Sequence, residues 1–192
     1  MTTTDSLALN GEDKQALLAL AHDAIQHGLA HGEHMPVAME TYSVGLQSPG
    51  SCFVTLKTGA VLRGCVGSLE AQRPLAADVA NNAYAAAFHD PRFAPLTRHE
   101  YPRLSVSIAL LSSAQVVECE TEEELIASLR PGIDGLILME GHTHRATFLP
   151  AVWESIDQPQ EFITQLKIKA GLAPRYWSRT LSFKRYTTMT IA

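Results

Sequence analysis

Residues 52–66 read CFVTLKTGAVLRGCV, and the fold class turns on them. Two apolar, β-branched runs flank Thr58-Gly59-Ala60, the pattern of an antiparallel hairpin. Successive side chains of a strand point to opposite faces. Cys52, Val54 and Leu56 therefore form one apolar set on the first strand. Leu62, Gly64 and Val66 form the matching set on the second. The two sets share a face only if an odd number of residues separates paired positions. The expectation is a three-residue Thr58-Gly59-Ala60 loop with Gly59 in the left-handed region. Leu56 then lies opposite Leu62, Thr55 opposite Arg63, and Phe53 opposite Cys65.

Outward from the hairpin, helices and strands alternate. Leu17, Leu20, Ala21, Ala24, Ile25 and Leu29 recur at helical spacing over residues 12–29, with Asn10 as cap and Glu12 and Asp13 in the first turn. Gly28, Gly32 and Pro36 suggest fraying, which makes His27, His31 and His34 a solvated face. Residues 33–51 read as a long connection. Pro74 opens a helix to Phe88 that buries Leu75, Val79, Ala83 and Ala86, and Pro91 stops it. Leu104–Leu111 alternates as a strand. Thr121 and Glu124 form a capping box for a short helix. Residues 134–140 and 145–149 pair across Gly141-His142-Thr143-His144. Residues 159–170 form a helix burying Phe162 and Leu166, ended by Gly171. Residues 181–189 give a final strand. Tight hairpins among interleaved helices make this an α+β fold with a mainly antiparallel sheet.

The chain has 192 residues, enough for one core or two small lobes, and 46% hydrophobic content excludes a disordered class. No apolar run nears the roughly 20 residues that span a bilayer, and the start lacks a signal-peptide pattern, so a cytoplasmic location is expected. Cys52, Cys65 and Cys119 are sparse and odd in number, which points to free thiols. The net charge of −5 makes nucleic acid an improbable partner. Six bases and no acid in residues 163–192, against six acids and one base in residues 1–50, leave two readings. Either the two ends pack near each other, or the C-terminal third attracts anions, RNA included.

Chemistry concentrates at Arg63 and Cys65. A neighbouring cation lowers a thiol's pKa and favours the thiolate. Gly64 and Gly67 permit close approach of a ligand or of another backbone. Asp90-Pro91-Arg92-Phe93 adds a carboxylate that orients or exchanges protons and a guanidinium suited to carboxylate or phosphate. The structural alternative is a buried inert Cys65, an ion-paired Arg63 and a helix stop with an internal ion pair. His142 and His144 sit at a hairpin tip without further ligands, so no metal is expected. No P-loop, dinucleotide fingerprint or serine-hydrolase elbow is present, and no cofactor is expected.

The runs Cys52–Leu56 and Leu62-Arg63-Gly64-Cys65-Val66-Gly67, then Asp90-Pro91-Arg92-Phe93 with Pro95-Leu96, resemble the AMMECR family, also called AmmeMemoRadiSam system protein A. The resemblance continues through Leu104–Leu111, Asp134-Gly135, Phe148-Leu149-Pro150 with Val152, and Lys169-Ala170-Gly171-Leu172, spanning roughly residues 10–185. It implies a single two-lobed α+β domain with a cleft near the hairpin. It implies Memo-type and radical-SAM partner proteins, and no established activity. Two functions follow as expectations. One is an enzyme with Cys65 as nucleophile, Asp90 as its helper, and Arg63, Gly64, Gly67 and Arg92 holding a small anion. The other is a non-catalytic component that binds such an anion, or a peptide, for its partners.

Overall fold

The computed structural model describes residues 9–192, which divide into two compact units: residues up to Leu111 with Met189–Ala192, and Ser112–Thr188. Along the first stretch run α1 (Gly11–His31), a one-turn α2 (Val44–Gln47), β1 (Pro49–Gly50), β2 (Cys52–Thr58), β3 (Val61–Gly67), β4 (Arg73–Pro74), α3 (Leu75–Phe88) and β5 (Leu104–Leu111). The second unit holds β6 (Gln115–Val117), α4 (Glu122–Ser128), β7 (Gly135–Glu140), β8 (His144–Phe148), α5 (Pro159–Lys169) and β9 (Leu181–Tyr186). Strand β10 (Thr188–Ile191) returns to the first unit's sheet. Each unit carries a four-stranded sheet, in the orders β10-β5-β2-β3 and β6-β9-β7-β8. The expected final strand over 181–189 is thus two strands, one in each sheet.

Apolar periodicity builds the first core. Leu17, Leu20, Ala21, Ala24 and Ile25 of α1 are buried against Leu75, Val79, Ala83 and Ala86 of α3 and the inward set Cys52, Val54, Leu56, Val106, Ile108 and Leu110. Asn10 and Asp13 close a reciprocal capping box at the start of α1. The expected fraying is absent, and α1 runs on through His31. Gly28 does not loosen it: a Cβ there would lie 2.4 Å from the Phe88 ring, so glycine lets α3 close on α1. His31 and His34 are exposed, whereas His27 is half-buried.

The hairpin register differs from expectation. Two residues, Gly59 and Ala60, link the strands, and Gly59 has φ +61° as expected. Thr58 pairs with Val61 and Lys57 with Leu62, but then Leu56 pairs with Gly64, Thr55 with Cys65 and Phe53 with Gly67. Arg63 is the extra residue of a bulge. The parity demand is real and is met inside β3 rather than in the loop. The bulge returns Gly64 and Val66 to the core face and leaves Leu62 across from exposed Lys57.

The second unit packs Leu136, Leu138, Phe183, Trp153, Phe162, Ile163 and Leu166 together. Trp153 stacks on Phe162 with ring centroids 3.8 Å apart. At the head of α4 the Thr121 hydroxyl accepts the Glu124 amide, but Glu124 takes the Glu120 amide, so the reciprocal box expected there is only half formed.

Candidate functional site

Strand β3, the end of α3 and the loop after it bring the candidate residues of the first unit together. Asp90 is buried, and its carboxylate has three duties. Oδ2 accepts the Cys65 amide at 2.8 Å, Oδ1 accepts the Arg92 amide at 3.1 Å, and both oxygens take the Arg92 guanidinium, at 2.9 Å from Nε and 2.6 Å from Nη2. The Arg92 bonds, foremost, hold the Asp90 carboxyl well below the usual carboxylate range; burial opposes them. Arg92 Nη2 also donates to the Cys65 carbonyl at 3.3 Å.

Arg63 reaches the same loop from the bulge. Its Nε donates to Glu100 Oε1 at 2.8 Å, and its Nη2 donates to the Ala94 carbonyl at 2.9 Å. Glu100 also takes the Thr97 amide and hydroxyl, each at 2.8 Å. Its carboxyl is lowered to about 2, chiefly by the Arg63 bond. Both guanidinium groups lie over Phe93, at 5.8 Å for Arg63 and 5.4 Å for Arg92. The site therefore holds two cations, two carboxylates and an aromatic ring whose formal charges cancel. Arg92 is the open member, with a side chain 54% exposed against 14% for Arg63.

Cys65 is half-buried, and its sulfur lies 3.4 Å from the Thr55 hydroxyl. Among the described residues no histidine nitrogen bonds it. Gly64 fits against α3: a Cβ there would lie 2.1 Å from the Ala86 carbonyl oxygen. At Gly67 a Cβ would lie 2.3 Å from Phe53. Both glycines face the protein's own atoms.

Sequence reasoning missed Glu100, Thr55 and Phe93 as site members, because each joins only through the bulge and the path of the 90–100 loop. It also missed a polar network beneath the sheet. Asp78 Oδ2 accepts the Cys52 amide at 3.1 Å, Asn82 Nδ2 at 3.0 Å and the Ser68 hydroxyl. Burial, then the Asp78 charge, push the Cys52 thiol up. The spacing of Asp78 and Asn82 on one face of α3 was the available signal. In the second unit Lys167 is sealed and paired with Glu122 at 2.7 Å, so one of the six C-terminal bases is not presented to an anion. Among the described residues no three histidine, cysteine or acidic side chains converge on a metal position, and no helix is long and apolar enough to cross a membrane.

Helices packed with antiparallel sheets define an α+β protein, here with a guanidinium–carboxylate cluster around a cysteine at the end of one sheet. The chain belongs to the AMMECR1 family, whose model matches residues 18–191. It is 35% identical to a protein of Sulfurisphaera tokodaii over 179 residues, 88% of this chain and 76% of that one. It is also 35% identical to a protein of Saccharolobus solfataricus over 147 residues, 73% of this chain and 65% of that one. The chain thus spans about two thirds to three quarters of the length of these relatives. The crystal structure of an uncharacterized protein from Pyrococcus horikoshii superposes with a TM-score of 0.86 at 28% identity, covering 95% of this chain and 92% of that one.

Proposed function

We propose that the β2–β3 hairpin and the 90–100 loop bind a small carboxylate- or phosphate-bearing ligand, or the acidic side chain of a peptide, beside the Cys65 thiol. The supporting observation is the state of Arg92. Asp90 fixes its Nε and Nη2, Nη1 has no partner among the described residues, and half of the side chain is open to solvent. A guanidinium held in this way binds an oxyanion without ordering itself first. Arg92 is the anion contact and Asp90 orients it. Arg63, locked by Glu100, supports the Phe93 ring, and Cys65 lines the site. Gly64 and Gly67 set the spacing of the strand. Because the cluster's formal charges cancel, the ligand is gained by directed hydrogen bonds rather than by long-range attraction.

Thiol chemistry at Cys65 is the second reading, favoured by the placement of the Arg92 guanidinium, whose Nη2 donates to the Cys65 carbonyl. Simple binding ranks above it because the sulfur's neighbour is a threonine hydroxyl rather than a base. In the binding reading, Memo-type and radical-SAM partner proteins would carry the chemistry.

Paired alkylation tests the proposal. Iodoacetate and iodoacetamide differ mainly in charge, and peptide mapping locates the label on Cys65. Relative to a free cysteine peptide, Cys65 should favour iodoacetate over iodoacetamide by about tenfold, the effect of about 1.4 kcal/mol of anion binding. Arg92→Ala should erase that preference. Equal relative rates for the two reagents, or no labelling of the native protein, would sink the reading.

A further inference from the structure

His27 and His31 take no part in the site around Cys65. Glycines and a proline nearby suggested a frayed helix end there, yet α1 runs intact through His31 and stops at Gly32, whose φ is +75°. Residues four apart on a helix share a face. The two imidazoles are indeed neighbours, with ring centroids 4.4 Å apart and a 40° tilt. His31 is exposed and His27 is half-buried. Nε2 of His27 is closed off from solvent and has no hydrogen-bond partner. A buried polar atom in that state calls for a water or an ion beside it. With the ring proton on Nδ1, this nitrogen presents a lone pair. The exposed His31 ring can turn to bring a second nitrogen to the same point.

We infer that His27 and His31 form a two-imidazole site for a late first-row divalent ion such as zinc, nickel or copper. This goes beyond the ligand reading and does not depend on it. The run His27-Gly28-Leu29-Ala30-His31 has the spacing of zinc-binding histidine pairs on one helix face. Neutral imidazole suits these ions, whereas magnesium and calcium take oxygen ligands. The helix end is held before any ion arrives. The Tyr84 hydroxyl donates to the Gly32 carbonyl at 3.0 Å, and a glycine at position 28 lets Tyr84 and Phe88 lie against the backbone between the two histidines. A chelate on an ordered backbone loses less freedom on binding. His34 and His89 rest on the Tyr84 ring, with centroids at 4.0 and 5.3 Å. The pair is therefore bidentate, in keeping with the lack of a three-ligand group among the described residues, and water fills the other positions of the ion.

The test titrates the untagged full chain with zinc chloride, following histidine ring signals by NMR and heat by calorimetry. Magnesium chloride is the negative probe. The ring signals of His27 and His31 should shift together and saturate with one zinc ion, and magnesium should move neither. His27→Ala and His31→Ala should each weaken zinc binding at this position by about tenfold or more, since one tethered donor is lost. His142→Ala, at the tip of the β7–β8 hairpin, should leave it unchanged. If His27→Ala does not fold, His31→Ala decides alone, because that side chain is exposed. Ring signals of His27 and His31 unmoved at a large excess of zinc, or an unchanged shift of His27 in folded His31→Ala, would overturn the inference. So would shifts spread over all the histidines without saturation, the mark of an adventitious ion only. The alkylation preference at Cys65 is read without metal, so the two proposals fall separately.

Discussion

At Gly64 the α3 backbone comes so close that a single methyl group has no room. Gly64→Ala drives a Cβ into the Ala86 carbonyl, and neither backbone yields freely. The expected loss is about 3 kcal/mol in urea unfolding, at the upper end of overpacking costs. Glu100 and Asp90 give a pH signature. Both carboxyls are held below their unfolded values, so their contribution is complete above about pH 4.3. It is lost as the pH falls through the folded value, about 2 for Glu100. The urea midpoint should therefore fall between pH 4.3 and 2, and Arg63→Met, which removes the main cause for Glu100, should make that fall shallower. An equally steep fall in Arg63→Met would show that the pair does not couple to folding.

Elements respond at their ends and at their contacts. The Asn10 side chain accepts the Asp13 amide at 2.8 Å, so Asn10→Ala should cost about 1 kcal/mol of stability, read from a thermal or urea melt. Helices α4 and α5 are tied by Lys167 and Glu122, with the lysine fully buried. Glu122→Ala leaves that ammonium without its carboxylate and should cost about 3 kcal/mol. The double variant Glu122→Leu with Lys167→Met should regain most of it, because desolvation of the charges offsets much of the pair's attraction. Were the double variant to melt below the single one, the pair would be a net source of stability. Both core helices of the first unit could be read from apolar spacing, as could the inward set of β2. Hairpin parity was legible too, but not its location: a loop residue and a bulge residue satisfy the same count.

The chain leaves the first unit after Leu111 and returns to it at Met189, so the second unit is an insertion between two strands of one sheet. Deleting residues 187–192 removes β10 while leaving β9 whole. Amide exchange should rise along β5, which loses its neighbour, and stay low along β7 and β9. Uniform exchange across both sheets would contradict that division. This topology was hidden in the sequence. Residues 181–189 carry continuous strand propensity, and nothing local marks where pairing passes from one sheet to the other.

The amino-acid sequence alone determined the two core helices of the first unit, the inward set of β2 and the α+β class, and it named Arg63, Cys65, Asp90 and Arg92, which only the family resemblance grouped into one site. These follow from periodicity, turn chemistry and short motifs, which act within a few residues. Only the tertiary structure decided that Glu100 holds Arg63, that Asp90 and Arg92 cover the backbone of Cys65, and that β10 belongs to the first sheet. Each of these joins atoms brought together by the path of the backbone, and side-chain pattern along the chain carries no record of that distance.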